Sequence, residues 1–212
     1  MGIADGMACQ IGLGGMILGM KFCNRLLVIL VWILISPLAL SDDWVPAPGF
    51  VSLFNGKDFS GWHYKGDADL GVKVSAIDDR YTAADGVLTV HPQDAAKGPR
   101  IRQIYTLKEF SDDFILRLEF RASVGADSGI FLRVPQLQCR DYLVAGPYKE
   151  LKSYRPQNWN TIEVTVKGGV AHCTCNGEVL EMALVLPKTG PIGLEADSGT
   201  MEYRHMEIRL LP

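Results

Sequence analysis

The stretch FILRLEFR, residues 114–121, alternates between large apolar side chains and a second set that includes two arginines and a glutamate. Successive side chains of a β-strand point to opposite faces, so this period of two predicts a strand with one face in a hydrophobic core. Ile162, Val164 and Val166 repeat the pattern further along the chain. The sequence therefore predicts strands that are buried on one side.

Turn residues separate these strands. Gly168-Gly169 and Asn176-Gly177 are typical of tight turns on either side of a strand at 170–175. Further short strands are predicted at 86–91, 101–107, 130–134, 137–143, 191–195 and 202–210. No stretch predicts an amphipathic helix, so we expect an all-β sandwich or jelly roll.

The length and charge of the chain limit its function. A length of 212 residues fits one globular domain and leaves too little for two. With 21 Lys plus Arg against 24 Asp plus Glu, the net charge of −3 gives no electrostatic attraction to nucleic acid. We therefore expect no nucleic-acid partner.

The first 41 residues are interpreted as a leader. An apolar run at 26–40 follows Lys21 and Arg25, and residues 39–41 form a small-x-small cleavage site. The run is shorter than the roughly 20 residues that a membrane span needs. We predict a signal peptide within residues 1–41, starting at Met20, and a single β-sandwich domain over residues 42–212. The mature protein would be exported to the periplasm or the extracellular space, and only an uncleaved leader would contact a membrane.

Three cysteines, Cys139, Cys173 and Cys175, lie beyond the leader. An odd number is not a disulfide framework. A strand separates Cys173 and Cys175 by roughly 6.6 Å, near the limit for a bridge, so a disulfide would more readily join Cys139 to one of them. Buried thiols without a bridge are the alternative. No second pair of ligands accompanies Cys173 and Cys175, so a zinc site is not predicted.

Polar side chains on outward strand faces are the candidates for function. Alternation places Glu119 and Arg121 on the outward face of their strand, and the same parity predicts Arg133 on that sheet surface. Outward Glu and Arg side chains also pair across strands without any function, at roughly 0.2 to 1 kcal/mol per pair. For any single residue, such structural pairing explains the pattern at least as well as a functional role does.

A second polar group follows along the chain. Gln136, Gln138 and Arg140 share one side of a predicted strand, and Asp141 ends it. Sugar hydroxyls need such donors and acceptors, and the apolar face of a pyranose stacks on aromatic rings. The aromatic residues that would edge a sugar-binding groove are Trp62, Tyr142, Tyr148 and Trp159.

Several common catalytic classes have no motif in this sequence. It contains no Gly-x-Ser-x-Gly elbow, no P-loop and no dinucleotide fingerprint after a strand. The four histidines are scattered, and none is assigned a catalytic role.

Blocks of sequence resemble, in order, the 3-keto-disaccharide hydrolase family. FVSLFNGKDFSGW at 50–62 is similar to the opening motif of that family. The later blocks are FILRLEFR followed by DSGIFLR at 127–133, WNTIE at 159–163, GPIGL at 190–194 and EYRHMEI at 202–208. The ordered set covers nearly the whole predicted domain and is more specific than any one block.

The resemblance implies a concanavalin-like jelly-roll β-sandwich and an exported carbohydrate-active enzyme. Its substrate would be a glycoside or oligosaccharide already oxidised to a ketone at C3, cleaved by α,β-elimination across C1 and C2 and then hydration. The ketone acidifies the C2 proton and places the C1 oxygen as a β leaving group. Such a site needs a base, hydrogen-bond donors or a cation for the enolate oxygen, and an acid for the leaving oxygen.

The resemblance also implies roles for individual residues. Asp141 and Glu119 are the candidate bases, and Arg133 would stabilise the enolate or ketone. Substrate contacts would come from Gln138, which would orient sugar hydroxyls, and from Gln136, Arg121, Arg140, Tyr142 and Trp159. No metal ligands are predicted, although a divalent cation could replace Arg133 as the electrophile.

The chain departs from the family at Gln136. Relatives more usually have an acid there, ahead of Gln138 and Asp141 in a Glu-x-Gln-x-x-Asp pattern. An amide is not a base, so this chain would differ in a step of the reaction or be a noncatalytic carbohydrate-binding module, which is the alternative function. In either case we expect Glu119, Arg133, Gln138 and Asp141 to surround one hollow.

Overall fold

The computed structural model describes residues 44–66, 69–76, 78–94, 96, 98–144 and 146–212. The predicted leader, its start at Met20 and its cleavage site lie outside the described residues and stay predictions. Within the described ranges, no helix is long and apolar enough to cross a membrane.

The regular elements of the described residues are all β-strands. They are β1 (Val51–Ser52), β2 (Trp62–Tyr64), β3 (Tyr81–Ala84), β4 (Val87–Val90), β5 (Arg102–Glu109), β6 (Phe114–Ala122), β7 (Asp127–Leu132), β8 (Gln136–Arg140), β9 (Asn160–Lys167), β10 (Val170–Cys175), β11 (Glu178–Val185), β12 (Pro191–Ala196) and β13 (Met201–Leu210).

These strands form two antiparallel sheets. Sheet A has the order β11-β10-β9-β6-β13-β4-β3, with β1 paired to β13. Sheet B has the order β2-β5-β12-β7-β8. Neighbours that are distant in the chain, such as β6 beside β13 and β5 beside β12, give the crossed connections of a jelly roll rather than a simple meander. The predicted all-β, concanavalin-like jelly-roll sandwich is confirmed.

A single hydrophobic core explains the alternation in β6. Phe114, Leu116, Leu118 and Phe120 are each at most 1% exposed, and β6 lies inside sheet A between β9 and β13. They belong to a cluster that also contains Leu194 of sheet B. Two sheets packed face to face bury the inward set of side chains of each strand and leave the other set outside. Function must therefore reside on one of the two outer faces or at the sheet edges.

Both predicted hairpin turns are present. Gly168 and Gly169 join β9 to β10 with φ of +57° and +76°, and Asn176 and Gly177 join β10 to β11 with φ of +48° and +84°. A two-residue turn with positive φ at both positions matches the twist of the strands, which favours Gly and Asn there. The sequence does not predict β11, because this edge strand is mostly exposed and its register shifts interrupt the alternation.

Cys139, Cys173 and Cys175 are unbridged buried thiols. Of the two alternatives left open by the sequence, the structure contains the thiols and not the disulfide. Burial raises the pKa of Cys139 well above its ordinary value of 9.0, and it raises the pKa of Cys173 and of Cys175 to about 12.

We expect the three thiols to be unreactive in the folded protein at pH 8, because the thiolate is the reactive form. Treatment with iodoacetamide followed by peptide mapping should modify none of them in native buffer and all three in urea. Each folded-state pKa lies above that of the unfolded chain, so burial of the thiols contributes stability that is complete below about pH 9. For Cys173 and Cys175 this contribution is lost as the pH rises through about 12. Rapid labelling of the native protein at any of the three would contradict their burial.

Candidate functional site

The four residues expected to surround one hollow do not do so. Glu119 lies on the outer face of sheet A, whereas Gln138 lies on the outer face of sheet B. Arg133 and Asp141 are buried, at 3% and 2% exposure. The expectation is wrong because alternation shows which side chains share a face of one strand. It does not show which of the two sheets that strand joins.

On sheet A, Glu119 and Arg121 are held in cross-strand ion pairs with β13. The Glu119 Oε2 accepts from Arg204 Nε at 2.7 Å. Arg121 donates to both carboxylate oxygens of Glu202, at 2.5 Å and 2.9 Å. Glu119 and Arg121 therefore match the alternative interpretation, in which outward Glu and Arg side chains pair across strands without a function. They do not share a surface with Arg133, as the sequence analysis expected.

The aromatic residues predicted to edge a groove also lie elsewhere. Three of them are buried in the core: Trp62, Tyr142 and Tyr148. Trp159 lies on sheet A, where its ring packs against the guanidinium groups of Arg121 and Arg204, with 4.8 Å and 4.1 Å from ring centroid to guanidinium carbon. None of the four lines the polar face of sheet B.

Arg133 follows β7, and its guanidinium binds backbone carbonyls. Its Nη1 donates to Pro187 O at 2.8 Å, and its Nη2 donates to Asp112 O at 2.7 Å. A Cβ at Gly190 would lie 2.8 Å from the Arg133 Cα, so the two chain segments are in close contact. The guanidinium of Arg133 therefore ties two loops together through their backbone carbonyls.

Asp141 is likewise a structural acceptor. Its carboxylate accepts from Gly125 N at 3.0 Å, from Tyr154 OH at 3.3 Å and from Gln157 Nε2 at 3.4 Å. These groups belong to the turn after β6 and to the segment before β9. The carboxylate therefore fixes two loops, and the geometry does not support its expected role as a base.

The outer face of sheet B keeps the amides that parity predicts for β8. Gln136, Gln138 and Arg140 are the three partly exposed positions of that strand. Arg140 pairs with Asp127 of β7 at 3.2 Å. The Gln138 Oε1 is buried and has no hydrogen-bond partner among the described residues. A buried acceptor without a partner is costly, so the Gln138 side chain would gain by turning its amide toward a donor.

At the centre of this face is a carboxylate that the sequence analysis does not include, Glu195. It is 9% exposed and lies on β12, between β5 and β7. Its Oε2 accepts from Gln136 Nε2 at 2.5 Å, and its Oε1 lies 3.5 Å from Gln103 Nε2. The signal that could have found it is the parity of GPIGLE, since a buried Leu194 places Gly193 and Glu195 together on the outer face.

Two glycines make room for the side chains around Glu195. A Cβ at Gly129 would lie 1.9 Å from Gln136 Nε2, so the amide crosses directly above this glycine to reach the carboxylate. A Cβ at Gly193 would lie 2.5 Å from the ring of Tyr105, which therefore lies over that glycine. We use the name Glu195 hollow for the Glu195 carboxylate together with the side chains around it, those of Gln103, Gln136 and Tyr105.

The backbone of β12 is fixed from inside the sandwich. Ser128 Oγ donates to Glu195 O at 2.5 Å and is 2.7 Å from Tyr203 OH. Tyr81 OH donates to Leu194 O at 3.1 Å. These buried hydroxyls hold the strand on its inner side, so the carboxylate on its outer side has a defined position.

Tyr105 supplies a proton donor next to this carboxylate. Its hydroxyl donates to Gln103 Oε1 at 3.1 Å. Burial and the negative charge of Glu195 raise the pKa of Tyr105 above its ordinary value, so the phenol stays protonated at neutral and moderately alkaline pH. The hollow thus combines a carboxylate acceptor, a phenol donor and the amides of Gln103, Gln136 and Gln138.

Across residues 44–212, in the ranges that the structure describes, no three His, Cys, Asp or Glu side chains converge so that they could hold a metal ion. The divalent cation considered as a replacement for Arg133 has no ligand set in this part of the chain.

Two solved structures of similar fold come from Parabacteroides distasonis, and each is named a "putative glycosyl hydrolase". The first is 19% identical, covers 77% of this chain and 95% of its own, and has a TM-score of 0.59. The second is 19% identical, covers 76% and 99%, and has a TM-score of 0.55. At this identity the likeness shows the fold alone.

A search of curated proteins finds no match to the chain. The model of the 3-keto-alpha-glucoside-1,2-lyase-like domain matches residues 49–209, from before β1 to near the end of β13. This match spans well over half of the chain and confirms the resemblance seen in the sequence blocks. The chain therefore belongs to the 3-keto-alpha-glucoside-1,2-lyase-like domain family.

Proposed function

We propose that the outer face of sheet B cleaves glycosides carrying a ketone at C3, with Glu195 as the general base. The observation that carries the proposal is the contact between Glu195 and Gln136, at 2.5 Å. The family resemblance expects an acid at position 136, where this chain has an amide. Glu195 supplies a carboxylate from the neighbouring part of the same face, within hydrogen-bond distance of that amide.

The first step is an elimination. The Glu195 carboxylate takes the C2 proton, and the electron pair of that C–H bond forms an enolate with the C3 carbonyl. The carbonyl then reforms as the bond between C1 and the leaving oxygen breaks, which gives a C1=C2 double bond. The leaving oxygen takes a proton from a solvent water and departs as an alcohol, which leaves one hydroxide in the solvent. General base catalysis of this kind contributes about 10² to 10⁴ in rate.

The second step is a hydration. A water molecule adds its hydroxyl to C1, and the protonated Glu195 returns its proton to C2. The remaining proton of that water goes to the solvent, where it replaces the proton taken by the leaving oxygen. The sum of the two steps is hydrolysis of the glycoside, and the protein ends in its starting protonation state. No oxocarbenium ion is needed, so a pair of carboxylates at the spacing of ordinary glycosidases is not required.

Tyr105 and Gln138 take supporting roles in this proposal. The protonated phenol of Tyr105 donates a hydrogen bond to the enolate oxygen, where negative charge develops. The partly exposed Gln138 turns its amide to the sugar, and its Oε1, which has no partner among the described residues, accepts a hydroxyl of the substrate. With the predicted signal peptide, this activity would be found in the periplasm or outside the cell.

Release of the aglycone from a matched pair of substrates tests the proposal. The purified protein is incubated with a 3-keto-glucoside and, separately, with its unoxidised parent. We expect release from the ketone only. Equal release from both would indicate ordinary hydrolysis, and saturable binding without release from either would indicate a carbohydrate-binding module.

The variant Gly129→Ala should lower kcat/KM for the 3-keto-glucoside about tenfold. Its new methyl group would overlap the Gln136 amide, and that flexible side chain would move away from Glu195 rather than the strand. The matched control is Gln136→Ala. Because both changes remove the same contact, the double variant should be no worse than Gln136→Ala alone. Additive losses would show that Gly129 acts by another route.

A further inference from the structure

A cleft of about 480 Å³ opens on the outer face of sheet B beside the Glu195 hollow. Its floor consists of three rings: His63 of β2, Tyr105 of the adjacent β5, and Phe131 of β7, which is separated from β5 by β12. The ring centroids of Tyr105 and Phe131 are 5.4 Å apart, and those of His63 and Tyr105 are 6.3 Å apart. The volume falls within the range of roughly 300 to 1,000 Å³ that is typical of small-molecule sites.

Tyr105 joins this cleft to the Glu195 hollow. Its ring lies over Gly193 at the cleft floor, and its hydroxyl bonds Gln103, the direct strand partner of Glu195. Gly193 and Glu195 are two residues apart on one face of β12, which is roughly 6.6 Å at 3.3 Å per residue. When the sugar of a substrate reacts at Glu195, the group attached to its C1 is therefore within reach of the three rings on the cleft floor.

Most of the exposed surface that lines the cleft is apolar, although Lys65, Thr106, Glu109 and Arg133 also line it. Leu107 and Val134 line the cleft and are 50% and 67% exposed, and Pro191 lines it with them. A second sugar ring would need hydrogen-bond partners for its hydroxyls around its whole edge, whereas polar groups line only the smaller part of this cleft. A flat aromatic group would bury its faces against the walls and stack offset or edge-to-face on the rings.

We infer that this cleft is a leaving-group subsite that selects 3-keto-glycosides of an aromatic aglycone over 3-keto-disaccharides. The inference rests on the proposed function, because it concerns the group released from C1 in the elimination. The cleft holds the aglycone before the bond breaks and the corresponding alcohol afterwards, and it forms no covalent bond with either.

Three substrates with the same 3-keto-glucosyl unit test the subsite: the benzyl glucoside, the methyl glucoside and 3-keto-cellobiose. All three release an alcohol rather than a phenol, so the comparison reports on contacts of the leaving group more than on its acidity. We expect kcat/KM to be about tenfold or more higher for the benzyl compound than for either other substrate, as burial of a phenyl ring allows.

Variants locate the preference in the cleft. The double variant Leu107→Asn with Val134→Asn should bring the benzyl-to-methyl ratio of kcat/KM close to one. Val185→Asn, on the edge strand β11 of sheet A and 71% exposed, is the matched control and should leave the ratio unchanged. Thermal unfolding of each variant shows that it is folded.

The outcomes separate the subsite from the reaction itself. Equal kcat/KM for the three substrates, or an unchanged benzyl-to-methyl ratio in the double variant, would overturn the subsite and leave the proposed function standing. Failure to cleave any of the three would overturn the proposed function, and the leaving-group subsite with it.

Discussion

Replacing Glu195 by glutamine should lower kcat for a 3-keto-glucoside by about 10³, within the range that general base catalysis contributes. An amide of the same shape keeps a side chain that Gln136 and Gln103 can contact, but it does not accept a proton from C2. The fold should survive, because the neighbours of Glu195 are partly exposed amides that can reorient, so the cost in stability is about 1 kcal/mol. Steady-state kinetics with a thermal unfolding curve measure both quantities.

Glu119→Gln is the matched control for this variant. Glu119 is also an outward glutamate in the middle of a sheet, but its partners are Arg204 and His205 on sheet A. Its loss should leave kcat unchanged and cost less than about 1 kcal/mol, as expected for a partly exposed ion pair. A large loss of turnover in Glu119→Gln with none in Glu195→Gln would move the active site to the other face of the sandwich.

An exchange of the two side chains gives a sharper test than either loss. The double variant Gln136→Glu with Glu195→Gln puts the carboxylate on β8, where the family resemblance expects it, and the amide on β12. We expect it to recover at least about tenfold of the activity lost in Glu195→Gln, because one carboxylate again lies in the hollow. No recovery would mean that the base must stand on β12 and that the two positions are not equivalent.

The fold is predictable from the sequence because its signals are local. The alternation in β6 and the Gly and Asn turns beside β10 each depend on a few neighbouring residues. Parity also places Gln136 and Gln138 correctly on one outer face. In each case the information needed lies within a single strand or turn.

The site is predictable only in part, because sheet membership is decided by distant pairings. β6 and β7 are separated by four residues, yet β6 pairs with β9 and β13 in sheet A and β7 pairs with β8 and β12 in sheet B. The turn at Gly125 carries the chain from one sheet to the other, and nothing in the alternation on either side marks that crossing. Glu119 and Arg133 are therefore assigned to one surface by parity and lie apart in the fold.

Glu195 does not stand out in the sequence for a different reason. Its strand contains Pro191 and Gly193 at the other outward positions, so no polar alternation is visible there. Those two residues are small or apolar because the Tyr105 ring lies over Gly193 and because Pro191 lines the cleft. The same residues that shape the site therefore remove the polar alternation by which Glu195 could have been predicted from the sequence.

Asp141→Ala should lower the free energy of unfolding by about 3 kcal/mol. This is the largest loss of stability that we predict for either of the two bases proposed from the sequence, Asp141 and Glu119. The change leaves the buried Tyr154 OH without its acceptor, which costs about 1 to 3 kcal/mol, and it also removes the hydrogen bond to Gly125 N. For a domain of this size the melting temperature should fall by about 10 °C. Turnover per folded molecule, measured well below the transition, should match that of the unchanged protein.

Asp141→Asn keeps this prediction testable if the alanine variant does not fold. The asparagine retains one of the two oxygens, which serves either the Gly125 or the Tyr154 donor, so it should lose less stability than alanine and keep full turnover. A catalytic base would give the opposite pattern, with kcat lower by about 10² or more in both variants and a melting temperature that barely changes in Asp141→Asn. Because Glu195→Gln is expected to lose turnover with little stability, the two carboxylates should separate cleanly in a plot of kcat against melting temperature.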